Sequence, residues 1–293
     1  MELQKLKKKL LMEEIRRRRR NSKKFRLLVS GTLLLLILLF AGLIFYVSNL
    51  DQVLEKDFAR AELLVEEGDY EQAVKVFRTI YDRHPTFHWS PQALFQAAEV
   101  LNLYLKSYHE ALLAYLLVEK DDPNGELSRR AQRQVAEIYK YRLRDFSRAI
   151  IAYQKLIDNG APDSDRLLYE IADAYFRLEN FEQARIEFES LRKSYPGSEL
   201  LPEVAYRIAV SWSLEGRLRE AEKSFRQVAL NWPQTPYALE ARFGLAGVLE
   251  EEDNLREALE ILLALQGEYP NGEALGKKIE QVEERIRKKK KAI

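Results

Sequence analysis

Residues 169–196 read YEIADAYFRLENFEQARIEFESLRKSYP, and this stretch decides the fold. Ala184 is followed by Phe188 four residues later and by Pro196 twelve residues later, and a second alanine, Ala172, lies twelve residues upstream. Small alanine side chains allow two helices to approach closely, whereas proline cannot continue a helix. The spacing therefore predicts two short helices joined by a tight turn.

The same pattern recurs six times with a period of 34 to 39 residues, which predicts a helical repeat array rather than one globular core. Repeats two and three carry one or two extra residues before their turns. The downstream alanine, the apolar residue and the proline of each repeat are Ala73, Phe77, Pro85; Ala111, Tyr115, Pro123; Ala149, Tyr153, Pro162; Ala184, Phe188, Pro196; Ala221, Phe225, Pro233; and Ala258, Leu262, Pro270. The upstream alanines are Ala61, Ala97, Ala136, Ala172, Ala209 and Ala246.

These repeats resemble the tetratricopeptide repeat (TPR) family, and segments such as YPGSELLPEVAYRIA (195–209) are similar to bacterial envelope members of the BamD, CpoB and YfgM type. The resemblance implies an all-α fold, with a right-handed α-solenoid of about six TPR helix pairs over residues 55–272. The expected repeats are residues 55–88, 89–126, 127–163, 164–198, 199–235 and 236–272. Residues 273–293 should form a C-terminal capping helix with a basic end. Ser90-Pro91 and Thr235-Pro236 are expected to start helices, with the hydroxyl as cap.

Residues 27–50 contain no charged side chain, and residues 27–48 are predicted to form a single transmembrane helix. Residues 1–26 carry twelve Lys or Arg against three Glu, which leaves a net charge of −8 for residues 27–293. Because basic flanks stay in the cytoplasm, we expect a basic cytoplasmic tail and an extracytoplasmic array at the bacterial inner membrane. The alternatives are a cleaved signal peptide and a cytosol-facing membrane-anchored TPR receptor.

The basic tail is expected to set topology and to contact anionic lipid. Nucleic-acid binding is the alternative, but Phe25 is the tail's one aromatic residue that could stack on a base. We therefore predict a membrane partner and no nucleic acid. The residues assigned to topology and lipid contact are Arg16, Arg17, Arg18, Arg19, Arg20, Lys23, Lys24 and Arg26.

The sequence offers little for catalysis. It has no cysteine, no glycine-rich phosphate loop and no nucleophile motif. His84 and His88 have metal-ligand spacing, but Pro85 lies between them. The acidic run at residues 250–253 is ordinary for an exposed helix face. We predict a protein that is not an enzyme and that has no cofactor or metal.

The TPR resemblance implies that a protein or peptide partner binds in the concave groove lined by the first helix of each repeat. Exposed Tyr and Arg are typical interface anchors, although packing or solvent contact is the alternative for each position. The basic end, residues 285–291, is either a solvated helix end or a contact for lipid or an acidic partner. Oligomeric state is left open. The predicted groove residues are Tyr169, Asp173, Phe176, Arg177, Glu203, Tyr206, Val210, Ser213, Phe243 and Glu250.

Overall fold

The computed structural model describes residues 2–85, 89–123 and 125–291, and the side chains of these residues except 20–25, 47 and 48. Within this described part the chain is entirely helical, with thirteen α-helices and one π-helical turn and no strand. The all-α fold predicted from the repeat is therefore confirmed. The chain divides into two compact units, Met1–Ala93 and Leu94–Ile293.

The helices follow the sequence repeat in order, and the π-helical turn (Ile138–Arg142) continues directly from α5. The bounds are α1 (Glu2–Glu66), α2 (Tyr70–Arg83), α3 (Ser90–Leu103), α4 (Tyr108–Asp121), α5 (Glu126–Glu137), α6 (Phe146–Asp158), α7 (Ser164–Arg177), α8 (Phe181–Ser194), α9 (Leu201–Leu214), α10 (Leu218–Asn231), α11 (Pro236–Glu251), α12 (Leu255–Ala264) and α13 (Gly272–Lys291).

In the first unit, α1 is one continuous helix of 65 residues. Its segment Arg26–Tyr46 is the single stretch in the described residues that is long and apolar enough to cross a membrane, and none of it is buried. Length and composition alone support this assignment, and a signal sequence has the same properties. Further along the same helix, Phe58 is buried and its ring lies 5.2 Å from that of Phe77 in α2. The helix that could span a membrane is thus also the first helix of repeat one.

In the second unit, first helices (α5, α7, α9 and α11) alternate with second helices (α4, α6, α8, α10 and α12) in a TPR-like solenoid, and α13 packs on α12. The alanines explain this close stacking. All twelve repeat alanines in the chain are 0% exposed, and the apolar residue that follows each downstream alanine is buried as well. Gly244 shows how tight one contact is, because a Cβ there would lie 2.7 Å from the Phe225 ring.

Each turn within a repeat places one residue in the left-handed backbone region, directly before the N-cap of the second helix. Two of the six are glycines and four are not, although a side chain costs about 1–2 kcal/mol in this conformation. All six repeats therefore have the same turn geometry, but only the two with glycine adopt it without strain. The six residues are Gly68, Lys106, Arg144, Glu179, Gly216 and Asp253, with φ between 54° and 82°.

The extra residues of repeats two and three are absorbed at the ends of their first helices. In repeat four, the Asn180 amide donates to the carbonyl of Tyr175, five residues back, at 3.0 Å. In repeats two and three the corresponding bonds span six residues, Ser107 to Leu101 and Asp145 to Tyr139, each at 2.8 Å. Repeat three uses the π-helical turn to do this. The alanine register is preserved.

Two expected details of the helix ends are wrong. The hydroxyl of Thr235 makes no capping hydrogen bond to α11, and Ser90 is itself the first residue of α3 rather than the residue before it. Instead, Ser90 Oγ donates to the carbonyl of His84, and Thr235 Oγ1 donates to that of Trp232 at 2.9 Å. Each hydroxyl thus binds a carbonyl group at the end of the preceding helix, and the Trp232 carbonyl also accepts from the Thr235 amide at 3.1 Å. In repeat six, α12 ends at Ala264, well before Pro270.

Candidate partner-binding groove

The ten predicted groove residues lie on three consecutive first helices, α7, α9 and α11. Arg177 is exposed and seven others are half-buried. The remaining two, Asp173 and Glu250, are 4% and 2% exposed. The predicted set therefore separates into side chains that a partner could reach and two carboxylates enclosed by the chain itself.

Glu203 joins three successive first helices through two tyrosine hydroxyls. Tyr237 Oη donates to Glu203 Oε2 at 2.6 Å, and Tyr169 Oη donates to Glu203 Oε1. The ring of Tyr206 lies 5.9 Å from that of Tyr237. Burial, followed by the bond to Glu203, raises the pKa of Tyr169 and raises that of Tyr237 to about 12. Both hydroxyls are therefore donors at neutral pH, and Tyr169, Glu203 and Tyr206 come together as one wall of the groove.

Asp173 is the centre of an ion network. Lys140 Nζ lies 2.8 Å from its Oδ2, and Arg177 Nε donates to the same oxygen at 2.9 Å. Arg207 Nη2 lies 3.2 Å from Oδ1, an ion-pair contact that lacks hydrogen-bond alignment. Burial raises the pKa of Asp173, but Lys140, Arg177 and Arg207 outweigh it and hold the pKa below its ordinary value of 3.8. The carboxylate is ionised at neutral pH.

The π-helical turn brings Lys140 to this network. Its side chain is 1% exposed and also contacts Glu170, with Nζ 3.1 Å from the backbone carbonyl and 2.5 Å from Oε2. Tyr141 Oη donates to the same carboxylate at 2.6 Å. A buried ammonium group needs such partners, because an unpaired charge in the interior is strongly unfavourable.

Lys140, Glu170, Arg207 and Tyr237 were missed by the sequence prediction. One signal was available: Glu170 and Arg207 both lie two residues before the upstream alanine of their repeats and carry opposite charges, although Arg207 pairs with Asp173 rather than with Glu170. Equivalent positions of adjacent helices are neighbours in a stacked array. No comparable spacing rule points to Lys140, because the extra residue of repeat three shifts its position.

The groove opens at α11. Gly247 lies one residue after the upstream alanine, as Asp173 and Val210 do in the two preceding repeats. A Cβ on Gly247 would meet nothing within 4 Å. Nearby in the sequence of the same helix, the Phe243 ring stacks on that of Tyr269 at 4.7 Å. The position of the Asp173 carboxylate in repeat four therefore carries no side chain in repeat six, where the residue is Gly247.

The carboxylate of Glu250 is bound by side chains of the capping helix, α13. Gln281 Nε2 donates to its Oε1 at 2.9 Å, and Arg285 Nη1 lies 3.1 Å from Oε1 and 3.0 Å from the backbone carbonyl. Lys278 pairs with the other oxygen. Burial raises the pKa of Glu250, but the effect of Lys278 and Arg285 is larger and of opposite sign. The pKa of Glu250 is therefore below its ordinary value. Glu250 therefore contacts α13, and its contact with a partner stays a prediction.

Part of the basic end has the same structural role, since Arg285 binds Glu250 and Lys289 pairs with Asp253. Among the described residues, no group of three or more His, Cys, Asp or Glu could hold a metal ion. His84 is described, whereas His88 lies outside the described residues. Two carboxylates of the acidic run at residues 250–253 are thus already paired with Lys or Arg.

In the basic tail, the side chains of Arg16, Arg17, Arg18, Arg19 and Arg26 are exposed on α1. Arg18 Nη2 lies 3.4 Å from Glu14 Oε1, an exposed pair one helical turn apart. The side chains of Arg20, Lys23 and Lys24 lie outside the described residues. Topology setting and lipid contact by these residues stay predictions.

Comparison with known proteins identifies the repeat. The tetratricopeptide repeat family model matches residues 58–126, 138–199 and 215–273. A tetratricopeptide repeat protein from Parabacteroides merdae ATCC 43184 is 15% identical, with 79% of this chain and 99% of that chain covered and a TM-score of 0.50. PilW, a widely conserved type IV pilus biogenesis factor, is 17% identical, with 79% and 98% covered and a TM-score of 0.48.

YrrB, a TPR protein with an unusual peptide-binding site, is also 17% identical, with 69% of this chain and 97% of that chain covered and a TM-score of 0.48. At these identities the similarity concerns the fold alone. No curated protein matches the sequence. Because the family model covers well over half of the residues, in the same segments that form the paired helices, the chain belongs to the tetratricopeptide repeat family.

Proposed function

We propose that this chain is a single-pass scaffold of the bacterial inner membrane that binds a protein or peptide partner in its groove. Residues 1–26 form the cytoplasmic tail, residues 27–48 the span, residues 55–272 the periplasmic array and residues 273–293 its cap. The setting is an envelope assembly, export, division or secretion machine. The scaffold does not require catalysis of its own, as is typical of TPR arrays.

The continuity of α1 carries this proposal. Its exposed apolar segment ends at Tyr46, and Leu54 is already buried in the first repeat. Eight helical residues correspond to about 12 Å, so a bilayer around the segment would hold repeat one close to its surface. Confinement near a membrane raises the effective concentration of a binding site towards other membrane-associated proteins.

The charge distribution supports the orientation. The tail before the span carries twelve Lys or Arg against three Glu, whereas the rest of the chain is net acidic. Basic residues beside a first span are retained in the cytoplasm. The array is accordingly exported, and a cytosol-facing receptor would require the opposite bias.

The groove chemistry supports a polypeptide partner. Tyr206, Val210, Ser213 and Phe243 are half-buried, and α11 leaves open space at Gly247. Aromatic side chains held by a rigid scaffold supply contact area with little loss of conformational entropy, and a helical glycine lets another backbone approach closely.

A fusion of alkaline phosphatase to the C terminus tests the orientation in bacteria. The enzyme is active only after export, so we expect an active fusion and a non-fluorescent matched fusion to green fluorescent protein. An inactive phosphatase fusion together with a fluorescent counterpart would favour the cytosol-facing receptor and contradict the proposal.

Photo-crosslinking in intact bacteria tests the groove. A photoreactive amino acid at Val210 should give adducts with a partner polypeptide, and the same amino acid at Lys223, on the second-helix side, serves as the matched control. Gly247→Leu fills the open space and should abolish the Val210 adducts without lowering the melting temperature. Adducts that persist in Gly247→Leu would show that the partner does not use this groove.

A further inference from the structure

A second cleft lies on the second-helix side of the array, between α4 and α6, with α5 and the π-helical turn as its floor. Its volume is about 240 Å³. Leu116, Val135, Tyr139, Ile151 and Ala152 supply its apolar lining. The cleft is separate from the groove, which is formed by first helices only.

The repeat provides an internal control for this cleft. Two repeats later, the equivalent cleft lies between α8 and α10 and has a volume of about 390 Å³. Here Lys223 takes the place of Ile151, two residues after the downstream alanine, and Glu189 takes the place of Leu116, five residues after it. Since both clefts have the same helical framework, the fold does not require apolar residues at these positions.

An ion pair crosses both the first and the last such gap, because Lys155 of α6 pairs with Glu119 of α4 and Arg226 of α10 reaches Glu257 of α12 with Nη2 2.6 Å from Oε1. The apolar walls thus distinguish the cleft between α4 and α6 from the cleft between α8 and α10. Such walls cost solubility when exposed, which indicates that they are covered in use.

The exposed apolar surface extends across three helices. Leu113, Ile151 and Ile186 occupy the same repeat position in α4, α6 and α8 and are 58%, 69% and 52% exposed. In the other three repeats the residue at this position is charged: Lys75, Lys223 and Glu260. An apolar stripe that ends in charged residues is typical of an interaction surface.

The charges beside Ile151 indicate an acidic occupant. Arg148 and Lys155 flank it on α6, and both are exposed. Lys155 pairs with Glu119, which is largely buried, and Arg148 lies 3.3 Å from Asp145 on its own helix. A second copy packed two-fold through α6 would bring Arg148 towards Lys155 of that copy, and like charges repel. An acidic segment shares these two exposed cations with Asp145 and Glu119.

The cleft floor favours a polypeptide over a lipid chain. Gln132 is 3% exposed, and its Oε1 accepts from Asn159 Nδ2 at 3.2 Å. Its Nε2 is buried and has no hydrogen-bond partner in the described part of the chain. Once the Gln132 side chain turns towards the cleft, a peptide carbonyl or a carboxylate accepts from this donor, whereas an acyl chain offers it no acceptor.

We propose that the cleft between α4 and α6 is a second docking site, which binds an acidic polypeptide segment through an aliphatic or aromatic anchor side chain next to Ile151. The array then holds two partners at once, one on each face. This site does not depend on the groove partner or on the orientation in the membrane.

Peptide selection on the full chain in detergent tests the site. A random 12-residue library is selected for binding to the wild type and counter-selected against Ile151→Lys, which copies the residue found at Lys223. Because Ile151 is exposed, the variant should melt as the wild type does. We expect retained peptides that are acidic and contain an aliphatic or aromatic residue.

Synthetic copies of the retained peptides are then measured by fluorescence anisotropy. Their affinity should fall at least tenfold for Arg148→Glu/Lys155→Glu and stay unchanged for Lys223→Ile and for the groove variant Gly247→Leu. Retention of no peptide, or of peptides without acidic residues, would overturn the proposal. Equal losses in Gly247→Leu would place the peptides in the groove and would overturn it as well.

The absence of cysteine from the chain allows two further checks with single-cysteine variants. Ile151→Cys in membranes should not form disulfide-linked dimers beyond the level of Lys223→Cys, and dimers specific to position 151 would assign the cleft to a second copy. A fluorophore attached to the thiol of Ile151→Cys should not be quenched by brominated phosphatidylglycerol vesicles more than the same fluorophore on Lys223→Cys. Quenching specific to position 151 would assign the cleft to a membrane.

Discussion

The centre of the array and its C-terminal end both enclose a carboxylate among several cations, and they use it differently. Asp173 binds Lys140, Arg177 and Arg207, which come from three successive first helices. Glu250 binds Lys278 and Arg285, which both come from α13. The same chemistry therefore joins neighbouring repeats at the centre and fastens a terminal helix at the end.

The difference matters because a repeat array is stabilised mainly by contacts between neighbours. Loss of a link between central repeats separates helices on both sides, whereas loss of a link at the end frees one helix. We expect substitutions at the centre of the array to have larger effects than those at its capped end, and those in a single turn to have the smallest effects.

Asp173→Ala should give the largest effect, a destabilisation of about 3–5 kcal/mol, because it leaves Lys140 buried with only Glu170 as a carboxylate partner. Urea unfolding followed by circular dichroism measures it. Glu273→Ala, which removes an exposed pair with Lys277, is the control and should change stability by less than about 0.5 kcal/mol. A loss below about 1 kcal/mol in Asp173→Ala would show that the central network is not a structural link.

Glu250→Ala should cost less, about 2 kcal/mol, and the effect should be confined to the end of the array. Leu275, Ile279 and Val282 still pack α13 against the last repeat. Hydrogen exchange should accelerate in α13 while α7 and α9 keep their protection. Faster exchange in α7 and α9 would contradict the local role assigned to Glu250.

Acidification should weaken both links together. Burial raises the pKa of each carboxylate, but the neighbouring cations dominate, so the native pKa values of Asp173 and Glu250 lie below their ordinary values of 3.8 and 4.5. Their contribution to stability is complete above those ordinary values and is lost as the pH falls through the native pKa. The urea midpoint should therefore drop at acid pH, and less so in Asp173→Ala. An equal drop in this variant would assign the acid sensitivity to other groups.

The turns should give the smallest effect. Glu179 at the centre and Asp253 at the end both have a left-handed backbone. Glu179→Gly should raise stability by about 0.5–1 kcal/mol, because glycine adopts this conformation without strain. Asp253→Gly should gain less, since it also removes the pair with Lys289. Melting temperatures rank the two variants. A larger gain for Asp253→Gly than for Glu179→Gly would mean that the ion pair between Asp253 and Lys289 contributes nothing to stability.

The sequence predicts the features that repeat and misses those that do not. Ala97 and Ala136 were predicted in spite of irregular spacing, because each must fit against a neighbouring helix, and both are fully buried. Lys140 and Glu170 could not be paired from sequence, since their contact spans 30 residues and depends on the π-helical turn. The hydroxyl of Thr235 was assigned to the wrong helix because local cap rules ignore the preceding helix end.

Partner binding by the ten groove residues stays a prediction, and the structure shows which of their side chains are accessible. Spacing placed Phe176, Ser213 and Glu250 at equivalent points of consecutive first helices. Whether such a side chain faces a partner or is enclosed by its neighbours depends on which cations approach it from other helices. That information lies in long-range contacts, as the burial of Glu250 by α13 illustrates.

The uninterrupted α1 has a mechanical consequence. Residues 47–66 contain neither glycine nor proline, so the segment lacks the usual sites at which a helix kinks. Rotation or tilt of the apolar segment is therefore transmitted through residues 47–66 to repeat one. Each residue inserted after Tyr46 turns repeat one by about 100° relative to the apolar segment, and seven nearly restore the original phase. The length of this segment therefore sets the direction in which the first repeat faces.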